Sequence, residues 1–165
     1  MTITPHLLAG SAVAVALTDN IFLAFLLGFL LHFALDAIPH LDPGTFLPAI
    51  DKDLKMETLH SQYKPWPRWV YAYAVGEFML IWVLVFLLFY NKTNFGVIAA
   101  GGLGGIFVDI IDNPLIRFHL KWPIFRQIDW LHHKLHFDLP IEKWFWGLTV
   151  QLIVIGVSIW YLLKF

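Results

Sequence analysis

Residues 21–42 read IFLAFLLGFLLHFALDAIPHLD, an apolar run from Ile21 that closes in His32, Asp36, Pro39, His40 and Asp42. On a helix, His32, Asp36 and His40 are four apart and lie along one face. Pro39 is expected to end that helix. The face then presents imidazole, carboxylate and imidazole in a row at a membrane edge. These are ligand types for a divalent metal ion. The plainer reading is a polar helix end wetted by lipid headgroups.

Composition points the same way. The chain has 165 residues, enough for one domain, and only 14% of them are charged against 59% hydrophobic. Its mean hydropathy is +0.69. A soluble domain carries about 25% charged residues. Several apolar runs approach the roughly 20 residues that span about 30 Å of hydrocarbon. The net charge of −1 gives no overall field to draw in nucleic acid, so no such partner is expected. There is no cysteine, so disulfides and thiolate metal sites are excluded. Any metal must be held by His, Asp or Glu. The N-terminus lacks the basic region of a signal peptide and is expected to be retained.

Five apolar segments follow in order. Thr4-Pro5-His6 leads into a short run, Leu7 to Leu17, whose Gly10, Ser11, Ala12, Ala14 and Ala16 suit close packing against another helix. Thr18-Asp19-Asn20 is a turn, and Asp19 or Asn20 caps the helix from Ile21 to Ile38. A polar connection, 39–67, holds a possible interfacial helix over 50–63. The run 69–90 is the strongest, interrupted only by Glu77. The next, 95–116, contains Gly101-Gly102-Leu-Gly104-Gly105, which lets another backbone come close. It ends in Asp109, Asp112 and Pro114. A basic, aromatic, His-rich stretch over 117–140 precedes the last run, 144–163. The expected fold class is all-α: a polytopic integral membrane helical bundle of four transmembrane helices plus a short N-terminal membrane helix, in a single domain over 1–165.

The two long connections hold Lys52, Lys55, Lys64, Arg68, Arg117, Lys121, Arg126, Lys134 and Lys143, against Lys92 and Lys164 on the other side. The positive-inside rule puts the long connections in the cytoplasm and the C-terminus on the opposite side of the cytoplasmic (inner) membrane. His32, Asp36, His40, Asp109, Asp112, His132 and His136 then all fall at the cytoplasmic face, joined by His6 if the first helix spans. Glu77 lies roughly 14 Å in from that end, by the rise of a helix. An internal echo supports one site: Gly28 to Ala37 and Gly101 to Ile110 each read Gly, apolar residues, then Asp near a helix end.

Each constellation has two readings. An ionised Glu77 inside an apolar span costs about 2.5–3.5 kcal/mol. It is either a metal ligand, a partner of one or a general base, or a protonated Glu bonded to nearby backbone. Asp109 and Asp112 share a helix face and repel unless a cation lies between them; otherwise both are solvated. His132 and His136 stand one helical turn apart, with Asp129 placed to orient His132; the alternative is a basic helix lying on anionic headgroups. Glu57 and His60 have a metal-site spacing but no second copy. His119 and Asp138 gain no support from any pattern.

These residues carry a likeness. Thr4-Pro5-His6 before a small-residue helix, then His32-x3-Asp36-x-x-Pro39-His40, resembles the YdjM-like membrane-bound metal-dependent hydrolases. The His-x3-Asp element with Pro and His also looks like the zinc-dependent phospholipase C and single-strand nuclease superfamily. The likeness covers the first quarter of the chain, with a looser match at Asp109–Asp112 and His132–His136. It implies a His/Asp site for one or two divalent ions, most often Zn, with Mn, Mg and Fe also compatible. It implies a phosphoester substrate.

The leading expectation is therefore a membrane-bound metal-dependent hydrolase of a phosphoester, either a small molecule or lipid-linked, with membrane lipid as its other partner. His6, His32, Asp36, His40, Asp109, Asp112 and His132 would hold metal. Glu77 or His136 would move protons. Arg117, Lys121 and Arg126 would hold phosphate or headgroup. The alternatives are a non-enzymatic transporter or scaffold using Glu77 and the His/Asp face, and a membrane di-iron oxidoreductase. The pattern leaves the oligomeric state open.

Overall fold

The computed structural model describes residues 1–41, 68–92, 94–112 and 122–164, without the side chain of Asp112. Asp42, the expected helix over 50–63 with Glu57 and His60, Arg117, His119 and Lys121 lie outside these residues. The described chain forms α1 (Ile3–Leu17), α2 (Ile21–Asp36), α3 (Arg68–Phe89), α4 (Phe95–Asp112), α5 (Pro123–Leu135) and α6 (Trp144–Leu162), the last entered through a 3₁₀ turn, Ile141–Lys143. Among the described residues there is no strand, only an isolated parallel bridge between His40 and Asp138.

Local chemistry sets the helix ends. Asn20 caps α2, its side chain accepting from the N–H groups of Phe22 and Leu23 at 2.9 and 3.1 Å. Pro5 sits in the first turn of α1, where a missing N–H costs nothing. Helix α2 stops at Asp36, three residues before Pro39. His40 is therefore beyond the helix, and the expected continuous His32, Asp36, His40 face is corrected at its last member.

The centre of the fold is α4, and its glycines explain why. A Cβ on Gly101 or Gly105 would run into the backbone of α1, at Gly10 and His6 respectively. A Cβ on Gly104 would run into α2 at Phe25, 3.0 Å from the nitrogen of Phe29. Gly28 of α2 faces Gly101 and Gly105 in turn. Three backbones therefore approach more closely than any side chain would allow. Ser11 fixes the register by donating to the carbonyl of Ile98 at 2.8 Å. His6 meets Gly105 and Gly10 meets Gly101, so α1 runs antiparallel to α4. Ala24 packs with Val97 and Ala100, while His32 reaches Gly105, so α2 runs parallel to it. The C-terminal ends of α2 and α4 and the N-terminal end of α1 consequently meet at one end of the molecule.

Helices α3 and α6 flank this centre. Leu162 of α6 and Ile81, Val85 and Phe89 of α3 join Leu7, Leu8, Ile98 and Ile106 in the main apolar cluster. Their other faces are exposed and apolar, including Leu80, Phe86 and Leu87 on α3 and Phe145, Leu152 and Ile153 on α6.

The helical runs Arg68–Phe89 and Ile141–Leu162, 22 residues each, are long and apolar enough to cross a membrane. Apolar helices α1, α2 and α4 are shorter. At 1.5 Å per residue they reach only about 22–27 Å, less than a hydrocarbon core of about 30 Å. Among the described residues two of the four expected spans reach full length, with the short helices packed between them.

The close approach makes a sharp contrast among glycines. Gly101→Val and Gly104→Val are expected to lose about 3 kcal/mol or more through overpacking against backbone. Gly76→Ala, where nothing lies within 4 Å of the new Cβ, should be neutral or stabilising by up to about 1 kcal/mol. Thermal unfolding of the detergent-solubilised protein by circular dichroism reads both.

Candidate metal centre

Asp36, the last residue of α2, sits at the meeting point with no exposed surface. His6 Nε2 lies 2.9 Å from its Oδ1, as does the amino group of Met1. His32 Nε2 and His132 Nε2 lie 2.9 and 2.8 Å from its Oδ2. His40 Nε2 and His136 Nε2 each stand 3.8 Å from Oδ1. Asp109 approaches the same nitrogen of His32, its Oδ1 3.9 Å from Nε2.

Each of these side chains arrives by a different route. His6 is carried by the first turns of α1. His32 lies one turn before Asp36 on α2. Asp109 comes from the last turn of α4, as the echo between Gly28–Ala37 and Gly101–Ile110 anticipated. His132 is on α5, whose C-cap is His136 in extended conformation. His40 is brought back by main-chain hydrogen bonds. The N–H of Phe137 donates to the carbonyl of Asp36 at 2.8 Å, that of His40 to Phe137 at 3.2 Å, and that of Leu139 to His40 at 2.8 Å. Three consecutive bonds thus stitch the end of α2 to the end of α5.

The hydrogen bonds on the far side of the rings fix their tautomers. His32 Nδ1 is 2.7 Å from the carbonyl of Gly105, and His40 Nδ1 is 2.7 Å from the carbonyl of Ile38. His136 Nδ1 is 3.2 Å from Asp138 Oδ1. Carbonyl and carboxylate oxygens only accept, so each Nδ1 carries the proton and, in the neutral ring, each Nε2 keeps its lone pair. These lone pairs converge on Asp36 and on one another. His40 Nε2 and His136 Nε2 face each other at 3.3 Å. His6 Nε2 and His32 Nε2 are buried and close to Asp36, yet neither makes a hydrogen bond. The His6 and His32 rings stack with centroids 4.1 Å apart.

Acceptors turned toward acceptors in a buried space repel unless a cation lies among them. Ligand atoms held at about 2.0–2.2 Å from a divalent ion stand about 3–3.5 Å apart, close to the separations seen here. Three sets with this spacing can be drawn around Asp36: His6 with His32 and Asp36, His32 with Asp109 and His132, and Asp36 with His132 and His136. A fourth, His40 with His136 and Asp138, adjoins them. The residues present therefore fit a divalent metal.

Burial keeps two of the outer rings ready as ligands. It pushes His40 down to about 3, helped by the positive charge of the Met1 amino group and by His136. Burial also pushes His132 down to about 4, although Asp36 works against it. Both rings are neutral at pH 7. Burial works to raise the carboxyl of Asp138, but its hydrogen bond and attraction to His136 hold it below the usual carboxylate range.

The other expected site residues fall into three places. The side chain of Asp112, with Arg117 and Lys121, lies outside the described residues. Arg126 is half-buried on α5, two turns before His132, and its Nε has no hydrogen-bond partner. Glu77 is on α3, where its Oε1 accepts from the N–H of Thr4 at 2.8 Å. That N–H is one of the first four of α1, which have no partner within the helix. Glu77 therefore caps the turn that presents His6, and it belongs to none of the metal-spaced sets. Asp138 was passed over in the sequence and is a partner of His136. Asp129, expected to orient His132, is buried on the same helix.

No protein family, curated protein or solved structure matches this chain. The geometry is what defines it: an all-helical protein with two helices of membrane-spanning length and a buried His/Asp cluster suited to a metal ion.

Glu77 separates a cap from a proton shuttle. Glu77→Gln keeps an acceptor for Thr4 and is expected to melt with the parent, whereas Glu77→Ala leaves that N–H unmet and loses about 1–3 kcal/mol. A Glu77→Gln protein that is stable but inactive would reveal proton transfer in addition to capping.

Proposed function

We propose that this protein is a membrane-embedded, metal-dependent hydrolase of phosphoesters, working on a small or lipid-linked substrate at the cytoplasmic face of the inner membrane. The observation that carries the proposal is the convergence of ring Nε2 atoms on a buried carboxylate, with the opposite Nδ1 atoms of His32, His40 and His136 held by acceptors. A transporter needs polar groups along a path. Here the ionisable side chains at the far end of the described helices are Asp19, Lys92 and Lys164. The resemblance of the Thr4–His40 region to the YdjM-like hydrolases and to the zinc-dependent phospholipase C superfamily favours hydrolysis over redox chemistry.

His6, His32, Asp36, Asp109 and His132 would hold a divalent ion, Zn²⁺ the first candidate, and a bound ion would supply Lewis acidity toward a phosphoryl oxygen and acidify water. The chain's own residues do the rest. Asp36 supplies negative charge and orients three rings, those of His6, His32 and His132. Asp138 holds the Nδ1 proton of His136 and leaves its Nε2 able to accept a proton from water. Arg126 offers an unpartnered N–H and a fixed positive charge to an anionic substrate. Exposed Trp122, Ile124 and Leu131 on α5, among basic residues, suit a helix lying at the headgroup level, where a lipid-linked phosphate would stand.

The test is hydrolysis of phosphomonoester and phosphodiester probes, including phospholipids in mixed micelles, by the purified protein. Activity is expected to vanish on chelation, return with Zn²⁺ or Mn²⁺, and fall about 100-fold or more in Asp36→Asn. Metal-independent activity, or full activity in Asp36→Asn, would overturn the proposal.

Orientation has its own test, since the natural chain has no cysteine. A membrane-impermeant maleimide added to intact cells should label Asn91→Cys and spare Lys143→Cys. The reverse pattern would place the site on the outer face.

A further inference from the structure

The two long spans measure how deep the cluster lies. At the end remote from it, α2, α3 and α4 are level: Phe95 of α4 meets Phe86 of α3, and Ile21 of α2 lies 3.5 Å from a Cβ placed on Gly96. From that level α3 runs 22 residues, whereas α2 runs 16 and ends in Asp36. The difference puts Asp36 about 9 Å below the start of α3. The registers of both spans agree. Gly147 abuts Leu41, the residue after His40, and stands about 9 Å inside the run Ile141–Leu162. Glu77, bonded to the N–H of Thr4, stands about 14 Å inside Arg68–Phe89. Thr4 lies between Met1 and His6, which both hold Oδ1 of Asp36.

We propose that the substrate is a membrane-resident amphiphile whose scissile phosphoester stands at the foot of its apolar chains, and that it enters from the bilayer past Phe137 and Ile141. This rests on the hydrolase reading above and narrows its substrate. Spans of 22 residues cover about 33 Å, so their ends stand near the edges of a hydrocarbon core of about 30 Å. A cluster about 9–14 Å inside those ends lies below the level at which a soluble phosphoester meets the membrane. It is within reach of a molecule that is already anchored there.

The accessible side of the cluster has the matching chemistry. His136 and Asp138 form it, 16% and 39% exposed. Their neighbours along the chain, Phe137 and Ile141, and Ile38 across the main-chain stitch are exposed apolar side chains. Arg126, two turns back on α5, adds positive charge. A small hydrophilic ester gains nothing from the apolar groups, whereas the chains of an amphiphile cover them while its phosphate meets the rings. The reaction remains hydrolysis. The oxygen of water bonds to phosphorus, the bond from phosphorus to the ester oxygen breaks, and that oxygen leaves with one of the water's protons, the other staying with the phosphate. The product that keeps the chains stays in the bilayer.

The experiment has two arms. The chain has no cysteine, so single cysteines can carry a spin label. Leu148→Cys and Leu152→Cys, on the exposed face of α6 beside Gly147 and Gln151, are read in vesicles by relaxation with oxygen and with a water-soluble nickel chelate. Both labels should respond to oxygen and be shielded from nickel. Labels open to nickel overturn the depth and the proposal with it. The second arm compares kcat/KM of the metal-loaded protein for long-chain phosphatidic acid in mixed micelles and for glycerol phosphate, the same ester without chains. Phosphatidylglycerol and glycerophosphoglycerol form the matching diester pair. The lipid should be preferred about 100-fold or more, because binding energy from its chains is used at the reacting centre. Phe137→Ser and Ile141→Ser should raise KM for the lipid about 10-fold with kcat held, and leave turnover of the chainless ester unchanged. Lipid KM unchanged in both serine variants overturns this route of entry. Equal kcat/KM for lipid and chainless ester, still lost in Asp36→Asn, overturns the amphiphile and leaves the hydrolase proposal standing. No metal-dependent turnover of either pair removes both proposals together.

Discussion

Burying a carboxylate without exposure removes it from water at a cost of several kcal/mol, and only close positive charge or hydrogen bonds offset that. Asp36 is such a group, and most of the fold is arranged around supplying its surroundings. Its two oxygens are approached by rings from α1, α2 and α5 and by the Met1 amino group, all within 2.9 Å. Those groups can converge only because the backbones of α1, α2 and α4 approach so closely at Gly10, Gly28, Gly101, Gly104 and Gly105. The glycines and the carboxylate are therefore one design at two depths. Small residues set the spacing along the helices, and the polar cluster fills the space where they end.

The second layer of contacts works to the same end. Glu77 caps α1 two residues before His6. Gln151 of α6 accepts from the hydroxyl of Thr2 at 2.9 Å and donates to the carbonyl of Leu41 at 2.8 Å. It thereby ties the start of α1 to the segment just after His40. Gly147 of the same helix lets Leu41 approach, since a Cβ there would stand 2.7 Å from its nitrogen. Neither α3 nor α6 gives a residue to the metal-spaced sets, yet each holds in place a segment that leads to one.

Much of this was legible in the chain. The His32–Asp36 pair, the Asn20 cap, the stop before Pro39 and the glycine-rich helix follow from spacing and local chemistry. The parallel between Asp36 and Asp109 follows from a repeated pattern. What the pattern misses is long-range. Asp138 carries no local signal, because its partners are His136 across a helix end and His40, 98 positions away in numbering. Glu77 looks catalytic when judged by its apolar neighbours alone, and its partner, the N–H of Thr4, belongs to a distant helix end. Among the described residues two of the four expected spans reach full length, and apolar character alone does not distinguish a helix facing lipid from one packed against glycines.

The stitch between Asp36–His40 and Phe137–Leu139 has a consequence in time. Its two halves are made about a hundred residues apart in translation. Until Leu139 has left the ribosome, Asp36 lacks His132 and His136, and His40 has no main-chain partner to hold it. A chain cut before α5 would carry Asp36 with only part of its surroundings. The rings around Asp36 are thus completed only when a segment about a hundred positions downstream has been made, so the full cluster follows the packing of α1, α2 and α4 rather than seeding it.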